Sequence, residues 1–372
     1  MDFSEGLATL AECKLKGDCF DLTQIDVTAL PEDATEKGCP SDPAEMAELL
    51  KSVIAERGIV ARRCAVVMPA VAFTAVPLCI DAEISIDQAL KELGESGSEL
   101  QLPFPRKQAD IDLIDNTSPH EKQTKTHHSY MLVATQRQNT DRLVECCREA
   151  GLELQLIDCG LVAPLRLFAE RIKALSDEEE ILHLNLSPGV TSCTVVWAGG
   201  AQKLTRMAPV RPFPAIQDPE EAAEYFPVSP DDLISLIRDI KRHIKSSSNT
   251  VVEITLAGTG SAHEGIDELI GDALGIKTSV IHPLDEVFLG NVNLPAGVNA
   301  QVLTRIVGMA KRFLLAERNA SKGNRSSQKS SNQSKASLFG LSLDTDLSWI
   351  SKRKLGTLYP PLKALIKSNI GK

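Results

Sequence analysis

The sequence predicts an α/β protein built from two halves. Its 372 residues are 43% hydrophobic and 24% charged, the composition of a globular chain long enough for two domains. A strand, strand, helix, strand, strand pattern occurs near the start, and three successive strands recur past the middle. Residues 251–274 join an apolar strand to a glycine turn and an amphipathic helix, which offers free backbone amides to an anion or a ribose.

The first half is predicted from apolar alternation and from clear turn and helix signals. Asp42 is a helix N-cap, Pro43 is the first helical residue, and the helix ends before Gly58. The expected elements are strands at 7–16 and 20–29, a helix at 43–57, strands at 64–68 and 70–78, a helix at 84–93, strands at 111–114 and 130–135, and a helix at 141–150.

The second half follows with a similar alternation. The expected elements are a strand at 152–158, a helix at 162–175, strands at 181–186, 191–198 and 202–208, helices at 220–225 and 231–246, strands at 251–256 and 277–281, and a helix at 301–315. Gly308 lies inside the last helix, where glycine is unfavourable, so this helix is expected to pack closely against a neighbour. The polar face of helix 231–246 is basic, which suits either solvent or a nucleotide.

Composition excludes several classes of function. The net charge of −10 argues against broad nucleic-acid binding, so proteins or small molecules are the expected partners. Nine cysteines without a Cys-x-x-Cys pair indicate free thiols in a reducing compartment. His127 and His128 lack further ligands at metal-binding spacing, so no metal site is expected. No signal peptide or spanning helix is recognisable, and a cytoplasmic location is expected.

The C-terminal region differs in composition from the rest. Residues 319–336 are rich in Ser, Asn, Gln and Lys, which predicts a flexible linker. Residues 337–372 combine aromatic and apolar side chains with lysine and arginine. Such a tail suits docking to an acidic membrane surface or to a partner, or folding back onto the acidic body of the same chain.

Several segments, taken in order, resemble the PilM family of type IV pilus assembly proteins, which belongs to the actin-like ATPase superfamily with FtsA. They are RCAVVMPAVAFTAVPL, QLPFP, DRLVECCREAGLELQLIDCGLVAPLRLF, ILHLNLSPGVTSCTVVWAGGAQKLTRMAPV, TLAGTGSAHEGIDELIGDALGIKTSVIHPLDEV and RIVGMAKRF. The resemblance implies two actin-like (ribonuclease H-like) halves, 1–150 and 151–318, with nucleotide in the cleft between them. It also implies a small α/β insert at about residues 64–135.

The same resemblance implies ATP and magnesium as cofactors, held in the superfamily by two hairpins that each carry an Asp-x-Gly turn. The first would precede Leu7, where residues 1–6 contain no such turn. In the second, a neutral amide replaces the acid and a proline removes one amide donor. We therefore expect weak nucleotide binding or none, and little hydrolysis. The candidate contacts are Asn185, Ser187, Gly189 and Thr191, with Gly258, Thr259 and Gly260 as the adenosine turn.

Family members are similar in acting as cytoplasmic platforms at the inner membrane, where they capture a short N-terminal peptide of the membrane protein PilN. The resemblance places the peptide groove between the core of the first half and the insert. It implicates Val66, Met68, Phe73 and Val76. Such a groove can accept an extended peptide by main-chain pairing with an edge strand.

Two other functions remain open from the sequence. An active actin-fold ATPase or small-molecule kinase needs a positioned carboxylate base, and Asp158 is the acid best placed for that role. An FtsA-like protein that polymerises on the membrane would use the basic tail as its tether.

Overall fold

A computed structural model describes residues 1–16, 19–94, 101–118, 126–211, 213–218, 227–288 and 292–312, with 337–338 and 341–342. In chain order the strands are β1 (Leu7–Lys16), β2 (Cys19–Ala29), β3 (Thr35–Glu36), β4 (Cys39–Pro40), β5 (Arg63–Met68), β6 (Thr74–Asp81), β7 (Ala109–Asp115), β8 (His127–Gln136), β9 (Glu153–Cys159), β10 (Glu179–Ser187), β11 (Val190–Trp197), β12 (Gly200–Met207), β13 (Thr250–Ala257), β14 (Lys277–Val280), β15 (Val287–Phe288), β16 (Ser337–Leu338) and β17 (Leu341–Ser342). The α-helices are α1 (Pro43–Glu56), α2 (Ile86–Gly94), α3 (Arg137–Glu149), α4 (Ala169–Lys173), α5 (Pro230–Ser246), α6 (Ile266–Leu274) and α7 (304–312).

The sheet of the first half has the start of the chain at its centre. Asp2 pairs antiparallel with Thr9 of β1 and parallel with Val67 of β5. β1 pairs antiparallel with β2, and β5 pairs in parallel with β9. The resulting order of the core strands is β2, β1, the segment at 1–2, β5 and β9, and the two-residue strand β15 pairs in parallel with the outer edge of β2.

The sheet of the second half repeats this order. Its strands run β12-β11-β10-β13-β14, with β10, β11 and β12 antiparallel in succession and β13 and β14 parallel to β10. Each half therefore has two hairpins followed by two parallel strands, and the two halves predicted from the sequence are confirmed.

Helices cover the outer face of each sheet because their apolar stripes match the sheet face. In the first half, Leu50 of α1 and Leu143 of α3 are fully buried in one cluster with Phe3. The start of α1 is as predicted, since the Asp42 carboxylate accepts hydrogen bonds from the amides of Ala44 (2.8 Å) and Glu45 (3.2 Å). In the second half, α5 and α6 bury Leu236, Ile240 and Ile270.

The insert is a separate small sheet of the first half, in the order β6-β8-β7. One of its faces packs against α2 through Ala89, Leu113 and Leu132. The predicted start of the insert at Cys64 is wrong, because β5 is hydrogen-bonded to β9 along its length and belongs to the core sheet. The strand predicted at 70–78 begins only at Thr74, since Ala70–Ala72 form a 3-10 turn after Pro69.

The two halves meet through the segments that follow β9 and β14. The helix predicted at 162–175 is a 3-10 segment, Pro164–Phe168, followed by α4, because the backbone at Phe168 leaves helical geometry. Gly308 of α7 packs against the start of this 3-10 segment. A Cβ at Gly308 would be 2.0 Å from the carbonyl oxygen of Ala163. This confirms the close packing predicted for Gly308.

Some predicted features lie outside the described residues: the helix at 220–225, the linker at 319–336 and most of the tail at 337–372. The described part of the tail is the hairpin β16–β17, in which β17 lies beside β7. None of the described helices has the length and apolar character needed to cross a membrane. Eight of the nine cysteines are free thiols: Cys13, Cys39, Cys64, Cys79, Cys146, Cys147, Cys159 and Cys193.

Candidate functional site

Each half carries a two-residue hairpin loop at the same place in its sheet. The first is DFSEG (2–6), closed by a hydrogen bond of 3.1 Å from Leu7 N to Ser4 O, and the second is NLSPG (185–189), closed by pairing of Ser187 with Val190. Gly6 and Gly189 have φ of 72° and 78°, which glycine adopts without strain. Residues 1–6 therefore form a hairpin loop, although the Asp-x-Gly sequence is absent as predicted, because Ser4 stands at the position of the expected glycine.

The glycine turn after β13 packs directly on the end of β10. A Cβ at Gly258 would lie 2.7 Å from Leu186 O, and a Cβ at Gly260 would lie 2.9 Å from Leu186 Cβ. Both glycines are therefore required by the contact between the two turns. Their packing brings Thr259, which is 2% exposed, next to the second hairpin loop.

The side chain of Glu5 reaches across the cleft between the halves. Its Oε1 accepts hydrogen bonds from Ser187 Oγ at 2.8 Å and Arg305 Nη1 at 3.1 Å, and its Oε2 accepts one from Thr259 Oγ1 at 3.0 Å. Asn185 Nδ2 in turn donates to Ser187 Oγ. The Glu5 side chain is only 10% exposed. Donors from three separate elements thus converge on one buried carboxylate.

Arg305, near the start of α7, holds the first turn in place. Its Nε donates to Asp2 Oδ2 at 2.6 Å and its Nη2 donates to Ser4 Oγ, which donates to Asp2 Oδ1 at 2.5 Å. Burial lowers the pKa of the Arg305 guanidinium, but the carboxylates of Asp2 and Glu5 outweigh burial and raise it. The guanidinium therefore stays charged and faces two carboxylates.

A cavity of about 200 Å³ lies beside the Glu5 carboxylate, between the two halves. It is lined, among others, by Ser4, Lys37, Gly160, Asn185, Ser187 and Arg305. Of the predicted nucleotide contacts, Asn185 and Ser187 line the cavity, whereas Gly189, Thr191 and the glycine turn at 258–260 do not. Thr191 is fully buried, and its neighbours Val190 and Ser192 line the cavity instead.

These residues do not fit a magnesium-bound triphosphate as they stand. Both oxygens of Glu5 and both of Asp2 already accept hydrogen bonds, and a carboxylate at this position repels phosphate. The remaining polar side chain of the second turn, Asn185, is neutral and a weak magnesium ligand. Among the described residues, no group of three or more His, Cys, Asp or Glu side chains could hold a metal ion.

Asp158, the acid proposed from the sequence as a catalytic base, is fully buried. It accepts hydrogen bonds from Arg166 at 2.5 and 3.1 Å and from Arg312 at 2.9 Å. Burial raises the pKa of this carboxyl, but the two guanidinium groups outweigh burial and the pKa lies below its usual value. A saturated, inaccessible carboxylate of this kind is structural and cannot abstract a substrate proton.

A second depression, the insert groove, has a volume of about 30 Å³ and lies between the insert and the core of the first half. Its apolar wall is formed by Phe73, Ile114, Val133, Ile157 and Val162, and Asp110, Asp112 and Arg312 supply charged groups. Burial raises the pKa of the Asp112 carboxyl. β8 pairs with one side of β7, and no strand among the described residues pairs with its other side.

Of the four residues predicted to contact a peptide, Phe73 alone lines the insert groove. Val66 and Met68 are fully buried beneath α1 and α3, because β5 belongs to the core sheet. Val76 is paired with Leu132, on the insert face that packs on α2, away from the groove. Those three assignments are corrected.

Glu5 and Arg305 were not among the residues predicted from the sequence to form the site. The signal for Glu5 was available, since DFSEG and NLSPG share a pattern of acid or amide, apolar residue, serine, any residue and glycine. Arg305 carried no comparable signal, because its partners lie about three hundred positions away in the chain.

A family model described as "Type IV pilus assembly protein PilM" matches residues 1–196. Among solved structures, the PilM-PilN type IV pilus biogenesis complex aligns with a TM-score of 0.66 at 16% identity, covering 83% of this chain and 96% of that one. A Bacteroides thetaiotaomicron protein of actin-like ATPase fold and unknown function aligns with a TM-score of 0.37 at 12% identity, over 82% of this chain and 98% of that one. MreB 5 of Spiroplasma citri bound to AMPPNP gives 0.40 at 11% identity, over 81% and 83%.

No curated protein sequence matches the chain. The repeated sheets, together with the alignment at a TM-score of 0.66, give the molecule an actin-like α/β fold of two halves.

Proposed function

Because the chain belongs to the PilM family of type IV pilus assembly proteins, we propose that it is a cytoplasmic scaffold of pilus assembly. It binds a short peptide of an inner-membrane PilN-type partner in the insert groove, and its ATP binding is weakened or lost. The partner keeps the protein at the periphery of the inner membrane. The division into two halves is part of this proposal, with the insert beginning after Met68 and with the first half extending through β9 to Cys159 instead of ending at residue 150 as predicted.

The geometry of the insert groove is the observation that carries the proposal. An apolar wall that includes Phe73 suits an apolar side chain of a peptide, and β7, which pairs with β8 on one side, borders the groove. Asp112 and Arg312 add groups that fix the orientation of a bound chain. A PilN partner is supported by the alignment with the PilM-PilN type IV pilus biogenesis complex, which covers 96% of that chain.

The contacts of Glu5 support the second part of the proposal. Its carboxylate accepts the hydrogen bonds of Ser187 and Thr259, two of the residues predicted to contact a nucleotide. Asp158, which an active ATPase or kinase would need as a base, is held by Arg166 and Arg312. A scaffold role therefore accounts for these side chains better than turnover does. The FtsA-like alternative would use the tail at 337–372 as its membrane tether, and most of this tail lies outside the described residues.

Calorimetric titration with a synthetic peptide tests the proposal. The peptide carries the N-terminal cytoplasmic residues of the PilN-type protein encoded in the same genome. Wild type is expected to bind it, and Phe73→Ala or Phe73→Ser is expected to weaken binding by about tenfold or more, because each removes the half-buried apolar anchor of the groove.

The matched control is Ile234→Ala, which truncates an apolar side chain that is 55% exposed on α5 of the second half. This variant is expected to bind like wild type. No binding by a folded wild type, or equal binding by the groove variants and wild type, contradicts the proposed site.

A further inference from the structure

We propose that the carboxylate of Glu5 is an internal anion that occupies an oxyanion site in the cleft and thereby latches the two halves together. The inference rests on the part of the proposed function that concerns weakened nucleotide binding, and it is independent of peptide binding. The chemical class that the site would otherwise accept is a phosphate group.

The donor set around Glu5 identifies this chemistry. Ser187 Oγ, Thr259 Oγ1 and Arg305 Nη1 all donate to the two carboxylate oxygens, at 2.8 to 3.1 Å. The donors are two hydroxyl groups and a guanidinium, and they come from the second turn, the glycine turn and α7. Such a set favours a carboxylate or a phosphate oxygen as the acceptor. None of these elements is adjacent to Glu5 in the chain.

The position of Glu5 shows that its side chain is held by these contacts. Glu5 has φ of 61°, in the left-handed region that non-glycine residues seldom adopt. An acidic residue in a two-residue hairpin loop normally points into solvent, yet this side chain is only 10% exposed. The neighbouring Gly6 has φ of 72°, so the loop needs this geometry at both positions.

The charge of the cluster and the cavity beside Glu5 would both allow an oxyanion to bind once the carboxylate is removed. Arg305 faces the carboxylates of Asp2 and Glu5, so the cluster carries one positive and two negative charges. Removal of Glu5 leaves a neutral cluster in which Ser187, Thr259 and one arm of Arg305 have lost their acceptor. The adjoining cavity of about 200 Å³, which Lys37 also lines, gives an incoming oxyanion room.

The experiment compares the binding of inorganic phosphate to Glu5→Gly and to wild type. Glycine suits the left-handed backbone at this position, so this variant removes the carboxylate with little strain on the turn. Thermal unfolding and calorimetry are followed while phosphate is added, with sodium chloride of equal ionic strength as the reference. Glu5→Gly is expected to show saturable stabilisation and at least about tenfold tighter phosphate binding than wild type.

Three further proteins make the comparison specific. Glu5→Gln keeps the length of the side chain and fills the same volume, so it is expected to gain less affinity for phosphate than Glu5→Gly. Glu32→Gly removes one negative charge from an exposed turn and is expected to respond like wild type. Ser187→Ala combined with Glu5→Gly is expected to lose part of the gained affinity.

ADP added to Glu5→Gly separates the two sources of phosphate. Tighter binding of ADP than of phosphate identifies the phosphate of a nucleotide, whereas equal binding identifies a plain oxyanion site, and both support the latch. The latch is overturned if folded Glu5→Gly gains no affinity for phosphate, or if wild type binds phosphate equally well. If Glu5→Gly does not fold, an unchanged phosphate response of Glu5→Gln relative to wild type overturns it.

The two proposals fail separately in these experiments. If wild type does not bind the peptide but Glu5→Gly gains affinity for phosphate, the proposed scaffold function is wrong and the proposed role of Glu5 stands. If wild type binds the peptide but Glu5→Gly gains no affinity for phosphate, the proposed role of Glu5 is wrong and the scaffold function stands.

Discussion

Glu5 Oε2 and Thr259 Oγ1 lie 3.0 Å apart although the two residues are separated by 254 positions in the chain. Glu5 belongs to the first hairpin loop of one half, and Thr259 belongs to the glycine turn of the other. Because the Glu5 carboxylate is nine-tenths buried, this contact joins the halves in an environment that screens charge less than water does.

The contact between Glu5 and Thr259 predicts coupled stability. Glu5→Gln and Thr259→Val each remove one side of the hydrogen bond and are expected to destabilise the protein. Their effects are expected to be non-additive, with a coupling free energy of about 0.5–3 kcal/mol from a double-mutant cycle in urea. The pair Glu32→Gln and Thr259→Val, which share no contact in the structure, serves as the additive reference. Full additivity for Glu5 and Thr259 would show that the contact is not made in solution.

Gly308 in α7 predicts an unusual cost for alanine. A Cβ at this position would lie 2.0 Å from Ala163 O, so α7 or the turn beneath it must move. Gly308→Ala is expected to lower the free energy of unfolding by about 1–3 kcal/mol or more. The matched control is Gly271→Ala in α6, where the nearest atom would be 3.3 Å away and alanine favours the helix. Equal effects of the two substitutions on urea unfolding would refute the close packing.

His183 predicts a pH dependence of stability. Burial lowers the pKa of this imidazole from 6.5 to about 3, while Nδ1 is hydrogen-bonded to Thr255 Oγ1 at 3.0 Å. Between these pKa values the unfolded chain binds a proton that the folded protein does not. The contribution of His183 to stability is therefore complete above pH 6.5 and is lost as the pH falls towards 3.

The expected slope for this residue is about 1.4 kcal/mol per pH unit in the acidic part of the window. Unfolding in urea at successive pH values measures it. His183→Gln should remove that component of the slope, whereas Thr255→Val should lower stability by a similar amount at every pH. An identical slope in wild type and His183→Gln would mean that the imidazole titrates normally in the folded protein.

The Asp158 cluster predicts a large structural effect. Asp158→Asn leaves the buried guanidinium of Arg166 without its charged partner and is expected to cost about 3–5 kcal/mol in unfolding free energy. Glu48→Gln is the control, because the exposed pair of Glu48 and Lys51 contributes less than about 1 kcal/mol. An ATPase activity in wild type that disappears in a folded Asp158→Asn protein would instead identify Asp158 as a catalytic residue.

Local sequence signals gave the elements of this fold well. The hairpin of β1 and β2 and the start of α1 at Pro43 follow from turn and capping residues that act within a few positions. The boundary of the insert did not follow, because β5 and β6 are similar apolar strands and only their distant partners, β9 and β8, separate them.

The parts of the candidate site that have local sequence signatures were predictable, and the contacts between distant residues were not. The second hairpin loop and the glycine turn have short signatures, and both lie at the cleft. Glu5 resembles an ordinary turn residue, because its partners Ser187 and Thr259 are 182 and 254 positions away. A comparison of DFSEG with NLSPG finds the loop but not the contacts that its glutamate makes.

The most direct test of the whole account is the affinity of wild-type protein for the PilN-type peptide, measured by calorimetry with and without millimolar ATP and magnesium. With Glu5 in the oxyanion site, the halves are joined without nucleotide, so the dissociation constant should agree within about twofold under the two conditions. Peptide binding that requires ATP, or that ATP strengthens by about tenfold or more, would contradict the account.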